Sequence, residues 1–295
     1  MFKSREALVL ALIAVVFAAC QTAEVRQVET STRELRDDLG RTVVVSEKID
    51  RAVSLAPNLT EMIFAIGAGD RLVGVTTYCN YPVEATTKEK VGDTQTPNVE
   101  RIITLRPQIV FVSTASQLEA FSRTLDEQGI AVYVTNPTTL EHVFQNLRRF
   151  GELFGRRDAA EELVTSLSAR ANAVRQMNPG SLQKVRVFIQ ISNEPLFTIG
   201  RDSFLTELLE QAGGTSVTKD VPTGYPKLSK ETAAALDPDV IILSESDDNR
   251  EPNAVFKDSR AVKNGRVYRI NADIISRPGP RLVDALEEIS RMLDR

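Results

Sequence analysis

From Val43 onward, short apolar runs rich in β-branched residues alternate with stretches whose apolar positions recur at helical spacing. This pattern predicts α/β architecture, because a strand covered on both faces reads as a continuous apolar run while its covering helix shows one apolar stripe. In the first half the predicted strands are Ala52–Leu55, Leu72–Val75, Ile109–Ser113 and Ala131–Val134. Predicted helices between them include Leu59–Ile66, stopped by Gly67, and Leu118–Gln128, stopped by Gly129, since glycine readily takes the conformation that ends a helix. In the second half the predicted strands are Val185–Ile191, Val240–Leu243 and Val267–Ile270, and the helices are Phe204–Gln211, stopped by Gly213-Gly214, and Pro280–Leu293. Between the halves, Asp158 to Met177 sets Leu163, Val164, Leu167, Ala171, Val174 and Met177 on one stripe and ends at Asn178-Pro179-Gly180. That spacing predicts a single helix of about 30 Å, long enough to bridge two lobes and restrict hinge motion between them.

The two halves repeat each other. Residues 98–113 read NVERIITLRPQIVFVS and residues 229–244 read SKETAAALDPDVIILS. Each copy has a capping residue (Asn98, Ser229), a Glu two positions on (Glu100, Glu231), a Leu (Leu105, Leu236), a Pro (Pro107, Pro238), an apolar strand and a closing Ser (Ser113, Ser244). A short capped helix, a Pro turn and a core strand are thus expected once per lobe, with a ligand cleft between the lobes.

The N-terminus has a different pattern. Lys3 and Arg5 precede an unbroken apolar run from Ala7 to Ala19, which as a helix would cover only about two thirds of a ~30 Å bilayer core. It has the length of a secretory h-region, and its end, Phe17-Ala18-Ala19-Cys20, resembles a bacterial lipobox, whose Cys is acylated and becomes the new N-terminus. Gln21 to Gly40 is polar with little apolar periodicity and reads as a tether. The predicted organisation is therefore a lipoprotein signal peptide at 1–19, a lipidated Cys and flexible tether at 20–42, an N-terminal α/β lobe at 43–154, a rigid linker helix at 155–179 and a C-terminal α/β lobe at 180–295.

Composition narrows the function classes. The 295 residues are 42% apolar and 26% charged, with 36 Lys and Arg against 40 Asp and Glu and a formal charge of −4. A sizeable core is expected, and nucleic acid is disfavoured as a partner because phosphate binding needs a basic surface. The single histidine, His142, excludes zinc sites built on two or three imidazoles. Two cysteines, Cys20 and Cys79, leave no disulfide framework. A hydrolase would need an organised nucleophile or a paired-carboxylate cleft, and the chain has neither G-x-S-x-G nor H-E-x-x-H.

Four segments carry a family resemblance: RAVSLAPNLTEMIFAIGAGDRLVGVTTYCNYPVEA (Arg51–Ala85), the paired E-x-x-x-x-L-x-P motifs, FTIGRDSF (Phe197–Phe204) and SRPGPR (Ser276–Arg281). From about residue 43 to its end the chain resembles the solute-binding lipoproteins of ABC importers for metal chelates, most of all the cobalamin-binding members. The resemblance implies two α/β lobes joined by one long helix and a non-enzymatic, exported and lipid-anchored receptor without a catalytic cofactor. It would bind cobalamin or a related corrinoid as a monomer and deliver it to a permease dimer, in the periplasm or at the cell surface. In that family, residues at the places of Glu100 and Glu231 dock onto arginine pockets of the permease. A Glu in a first helical turn also complements the macrodipole, which accounts for each singly but not for the matched pair.

The same resemblance places Tyr78 and Tyr225 against the faces of a corrin ring, Phe197 in the pocket, and Asp273 and Arg277 at the rim as hydrogen-bonding partners. For Tyr81, before Pro82, loop packing is the competing role. The cobalamin binders carry tryptophan at the places of Thr94, Ser113 and Tyr225, and this chain has none, which keeps haem and ferric siderophores open as ligands. Cys79 reads as a small buried hydrophobe rather than a group approaching a metal, and His142 as a solvated or capping residue. The anchoring expectation is directly testable: Cys20→Ser should release the protein from membranes or block its processing, measured by detergent partitioning and by the lipid mass on the mature N-terminus.

Overall fold

The computed structural model describes residues 31–113, 118–178 and 184–294, so the signal segment and Cys20 lie outside the described residues. The first described element already departs from expectation. Strand β1 (Thr32–Arg36) pairs with β2 (Thr42–Ser46) in a two-stranded sheet, so the tether expected over 20–42 gives way to folded chain by Thr32. Its polar sequence hides the reason. The Asp37 carboxylate, in the turn between the strands, accepts from the Leu39 and Arg41 amides at 3.0 and 2.9 Å. Asp38 accepts from Asn146 Nδ2 at 3.0 Å and pairs with Arg149. Polar contacts, which leave no apolar periodicity, hold this segment down.

Two four-stranded sheets follow. The first contains β3 (Ala52–Ser54), β4 (Leu72–Val75), β5 (Ile109–Ser113) and β6 (Ala131–Thr135) in the order β4-β3-β5-β6, all parallel. The second contains β7 (Val185–Gln190), β8 (Gly214–Ser216), β9 (Val240–Glu245) and β10 (Val267–Asn271) in the order β10-β9-β7-β8, again all parallel. Numbered within its own half, each sheet has the strand order 2-1-3-4, so the duplication seen in sequence is a duplication of topology. The brief strand β8 was not expected, because Gly213-Gly214 reads as a stop.

The covering helices are α1 (Pro57–Ala65), α2 (Val99–Thr104), α3 (Leu118–Glu127), α4 (Leu140–Leu153), α5 (Arg157–Met177), α6 (Phe204–Gln211), α7 (Lys230–Ala234), α8 (Arg260–Lys263), α9 (Ala272–Ile275) and α10 (Leu282–Leu293). Strand alternation divides the core. Ile109 and Phe111 of β5 enter the largest apolar cluster while Val110 and Val112 enter a second. Val240 and Ile242 of β9 join that same largest cluster, and Ile241 and Leu243 face a third. One continuous core thus runs between the two sheets, and Arg33–Arg295 form one compact unit.

Helix α5 stands between the sheets in sequence and buries Val164, Leu167, Ala171 and Val174 in the shared core. Met177, expected on the same stripe, is exposed, because the helix ends there. Flanking that stripe, Arg170 donates to Glu287 at 2.8 Å and to Asp284 at 2.6 Å on α10. These bonds hold the Glu287 carboxyl below the usual carboxylate range.

The repeated motif folds the same way twice. Asn98 and Ser229 each accept a backbone N–H through the side chain, from Arg101 and Thr232, which caps α2 and α7. Both helices stop at a residue in the left-handed region, Arg106 (φ 46°) and Asp237 (φ 40°). Each precedes a proline, which disfavours continuing the helix. An arginine at the start of the adjoining strand then donates to the carbonyl of the last repeat leucine: Arg51, just before β3, from Nε to Leu105 O at 3.0 Å, and Arg186, in β7, from Nη2 to Leu236 O at 2.5 Å.

Candidate functional site

In a parallel α/β sheet the strand order reverses between the central strands, and the loops leaving their carboxyl ends diverge to open a crevice there. Both sheets here have such a point, at β3/β5 and at β7/β9. The loops leaving the carboxyl ends of both sheets line one cleft of about 510 Å³. From the first sheet come Ala56–Asn58 after β3, Tyr78 and Thr94 after β4, Ser113 at the end of β5, and Thr135–Thr138 from β6 onward. From the second come Asp202–Phe204 after β7, Tyr225 after β8, and Asp273 with Ser276–Pro278 after β10. Thr94 and Tyr225 hold matching places in the repeat, each a turn ahead of its cap, Asn98 or Ser229.

The loop bearing Tyr78 is pinned from below. Cys79 is buried, with its Sγ 3.2 Å from both Thr60 Oγ1 and Thr76 Oγ1, and Lys90 Nζ donates to the Cys79 carbonyl at 3.2 Å. Anchoring that one side chain turns its neighbour outward, and Tyr78 is 58% exposed. The Tyr225 loop rests on Gly200, whose amide donates to Gly224 O at 2.8 Å. A Cβ at Gly200 would lie 2.1 Å from Thr223 O, so the FTIGRDSF motif needs glycine there to let the loops meet. Ser203 caps α6 beside it, and desolvation raises the Tyr225 hydroxyl above the ordinary phenol range, partly offset by a hydrogen bond with Ser203.

Beneath the cleft lies a group that the sequence reading missed. Glu61 of α1 is 3% exposed and meets two arginines from the segment after β10. Arg277 Nη1 donates to Glu61 Oε1 at 3.0 Å, Arg281 Nη2 to the same oxygen at 2.6 Å, and Arg281 Nε to Oε2 at 2.8 Å. Arg277 also donates to Asp273 Oδ1 at 2.6 Å and to Asn80 Oδ1 at 2.7 Å, and Asn80 Nδ2 donates to Asp273 Oδ2 at 2.8 Å. Two carboxylates and two guanidiniums form a neutral quartet joining elements of the two sheets. Asn58 Nδ2 donates to Pro278 O at 3.3 Å alongside. The signal for Glu61 was a charge within the apolar run LTEMIFAI, since a buried carboxylate requires a cation.

The other expected residues separate clearly. Tyr78, Tyr225, Asp273 and Arg277 line the cleft, as do Thr94 and Ser113. Phe197 does not: it is half-buried, and its backbone bridges to Ser192 and Lys227 hold the FTIG segment against neighbouring chain. Tyr81 packs under the Arg281 guanidinium, 4.2 Å from its ring centre, a cation–π contact. Glu100 and Glu231 are exposed, each in the first turn of its helix. The Glu231 amide and the Ser229 hydroxyl hold the Glu231 carboxyl below the usual range. His142 is exposed beside Thr138, with Nδ1 3.0 Å from Oγ1. Among the described residues, no group of three or more His, Cys, Asp or Glu could hold a metal ion.

Comparisons with known proteins agree with this architecture. The family profile described as periplasmic binding protein matches residues 53–274. The chain is 31% identical over 268 residues to YvrC, an uncharacterized ABC transporter substrate-binding lipoprotein of Bacillus subtilis (strain 168), covering 87% of this chain and 84% of that one. It is similar to the crystal structure of the periplasmic vitamin B12 binding protein BtuF of Vibrio cholerae, with a TM-score of 0.73 and 29% identity, covering 83% of this chain and 97% of that one. A periplasmic heme binding protein from Pseudomonas aeruginosa gives a TM-score of 0.73 at 26% identity, covering 83% and 92%.

The quartet yields a stability prediction. Glu61→Ala leaves two guanidiniums without their shared carboxylate, and breaking a buried pair in this way costs about 3–5 kcal/mol. The midpoint of urea unfolding should fall accordingly, whereas an unchanged midpoint would show that Glu61 does not hold the two halves.

Proposed function

Because the chain belongs to the periplasmic binding protein family, we propose that it is an extracytoplasmic receptor that captures cobalamin or a related corrinoid in its cleft and hands it to an ABC permease. The observation that carries this reading is the pairing of Tyr78 and Tyr225, tyrosines from the two halves that line one cleft and are both substantially exposed. A flat macrocycle presents two faces, and an aromatic ring offers each a large area with a polar tip. The hydroxyl and amide groups of Asn58, Thr94, Asn136 and Ser203 around the cleft suit the amide-fringed edge of a corrin ring. Similarity to a vitamin B12 binding protein and to a substrate-binding lipoprotein supports the same reading.

On this reading residues 1–19 direct export and Cys20 carries the lipid. The receptor works as a monomer without catalysis and without a cofactor of its own. Glu100 and Glu231 would dock onto the permease, since two matched carboxylates suit two equivalent subunits, and a carboxylate–guanidinium contact is directional. Asp273 and Arg277 border the ligand, but their side chains are committed mainly to the quartet.

The ligand prediction is tested by titrating the mature chain with cyanocobalamin, haem and ferric chelates while following visible absorbance. One cyanocobalamin should bind per chain, and Tyr225→Ala should weaken it by about tenfold or more, because a stacked aromatic contact contributes ~0.5–1.5 kcal/mol beyond its area and the area is lost as well. Tight haem or siderophore binding without cyanocobalamin binding would replace the corrinoid with that ligand. The docking prediction uses the Glu100→Ala, Glu231→Ala double variant. Uptake should be lost while cyanocobalamin affinity stays unchanged. Normal uptake, or a large drop in affinity, would refute docking.

A further inference from the structure

The charges facing the cleft are already committed in a way that bears on what it can hold. Among the described residues lining it, Arg277 is the one cation; of the two carboxylates, Asp273 is bonded to Arg277 and Asp202 lies 3.5 Å from Arg201. Arg277 is not available to a ligand. Its Nη1 donates to Glu61 and Asn80 and its Nη2 to Asp273 and the Tyr78 carbonyl, which occupies all four terminal N–H groups. Its side chain is only 10% exposed. The remaining polar lining is hydroxyl and amide, with Thr94, Thr138, Ser203 and Asn58 among it.

A ligand carboxylate entering this cleft would lose water and find no uncommitted guanidinium or ammonium among the described lining residues. Neutral amides would meet donors and acceptors instead. Burying an unpaired anion is far more costly than burying a hydrogen-bonded neutral group.

We propose that Glu61 and Asp273, by tying up Arg277, make this cleft selective for metal chelates with an electroneutral periphery over chelates that carry carboxylates. The inference rests on the reading of the cleft as a metal-chelate site, but not on the chelate being a corrinoid. Asp273 is the specificity-determining residue open to test, being partly exposed on the short helix α9 and bonded to Arg277.

The experiment measures affinities of the full mature chain and of Asp273→Asn for five probes. These are cyanocobalamin, its monocarboxylic acid derivative, haem with its two propionates, the neutral hydroxamate ferrichrome, and trianionic ferric enterobactin. In the wild type the amide corrinoid should bind at least about tenfold more tightly than its monocarboxylic acid. In Asp273→Asn, which replaces the carboxylate compensating Arg277 with a neutral amide, that gap should shrink to about threefold or less. The wild-type gap between the two corrinoids is itself a readout that holds even if the variant fails to fold.

The outcomes separate this inference from the corrinoid reading. Equal binding of the two corrinoids overturns charge selection and leaves corrinoid capture standing. Binding of ferrichrome, but of neither corrinoid nor either anionic chelate, overturns corrinoid capture and supports charge selection. Tighter binding of haem or ferric enterobactin than of the neutral probes, or binding of none of the five, overturns both. A wild-type gap that persists in a folded Asp273→Asn removes Asp273 from the role.

Discussion

The cleft exists because one buried carboxylate holds two arginines. Glu61 leaves α1 in the first half of the chain, and Arg277 and Arg281 arrive from the segment after β10 in the second. The charges of Glu61, Arg277 and Arg281 are largely removed from water, and the partly exposed Asp273 completes their compensation. Any one of the three buried members left alone would carry a large desolvation cost. The same contacts fix the backbone of Ser276–Pro278 and the Tyr78 loop, through Asn80 and the Tyr78 carbonyl. Walls contributed by the first and second sheets are thereby tied at a common floor.

Around that floor, duplicated topology produces a site that neither half has alone. Each sheet's order reverses at its centre, and the loops leaving the carboxyl ends of the strands spread apart at that point. The capped helix, the left-handed residue before proline and the arginine on the preceding leucine carbonyl occur once in each half. Equivalent positions then acquire different side chains. The place occupied by Thr94 in the first half holds Tyr225 in the second, and both line the cleft. Repetition supplies the frame, while the residues that differ between the copies give the cleft its chemistry.

Small anchored residues set the loops. Cys79, held between two threonine hydroxyls, and Gly200, where no Cβ could fit, do not reach the cleft themselves but determine where Tyr78 and Tyr225 stand. Phe197, in the same motif as Gly200, belongs to this supporting layer. Its backbone bridges to Ser192 and Lys227 hold the motif against neighbouring chain without making it part of the pocket.

Most strands and several helices from Ala52 onward were legible in the sequence, the brief β8 and helix α4 excepted, because burial on both faces of a parallel sheet imposes continuous apolar runs and because proline and glycine mark the element ends. Ile109–Ser113, Leu72–Val75 and Phe204–Gln211 have the predicted bounds. The repeat, and with it the matched pair Glu100 and Glu231, was legible for the same local reason. Strand β1 was not, because side-chain hydrogen bonds to Asp37 and Asp38 hold it and such bonds leave no period in the sequence. Nor was the partnership of Glu61 with Arg277 and Arg281, since these residues are brought together only when the two sheets share a core. Sequence by itself determined the local elements, the duplication and the aromatic candidates. Only the tertiary structure decided that Arg277, in the cleft lining, is already bound to carboxylates, because charge compensation in a buried site depends on which groups are adjacent in space and not on their order along the chain.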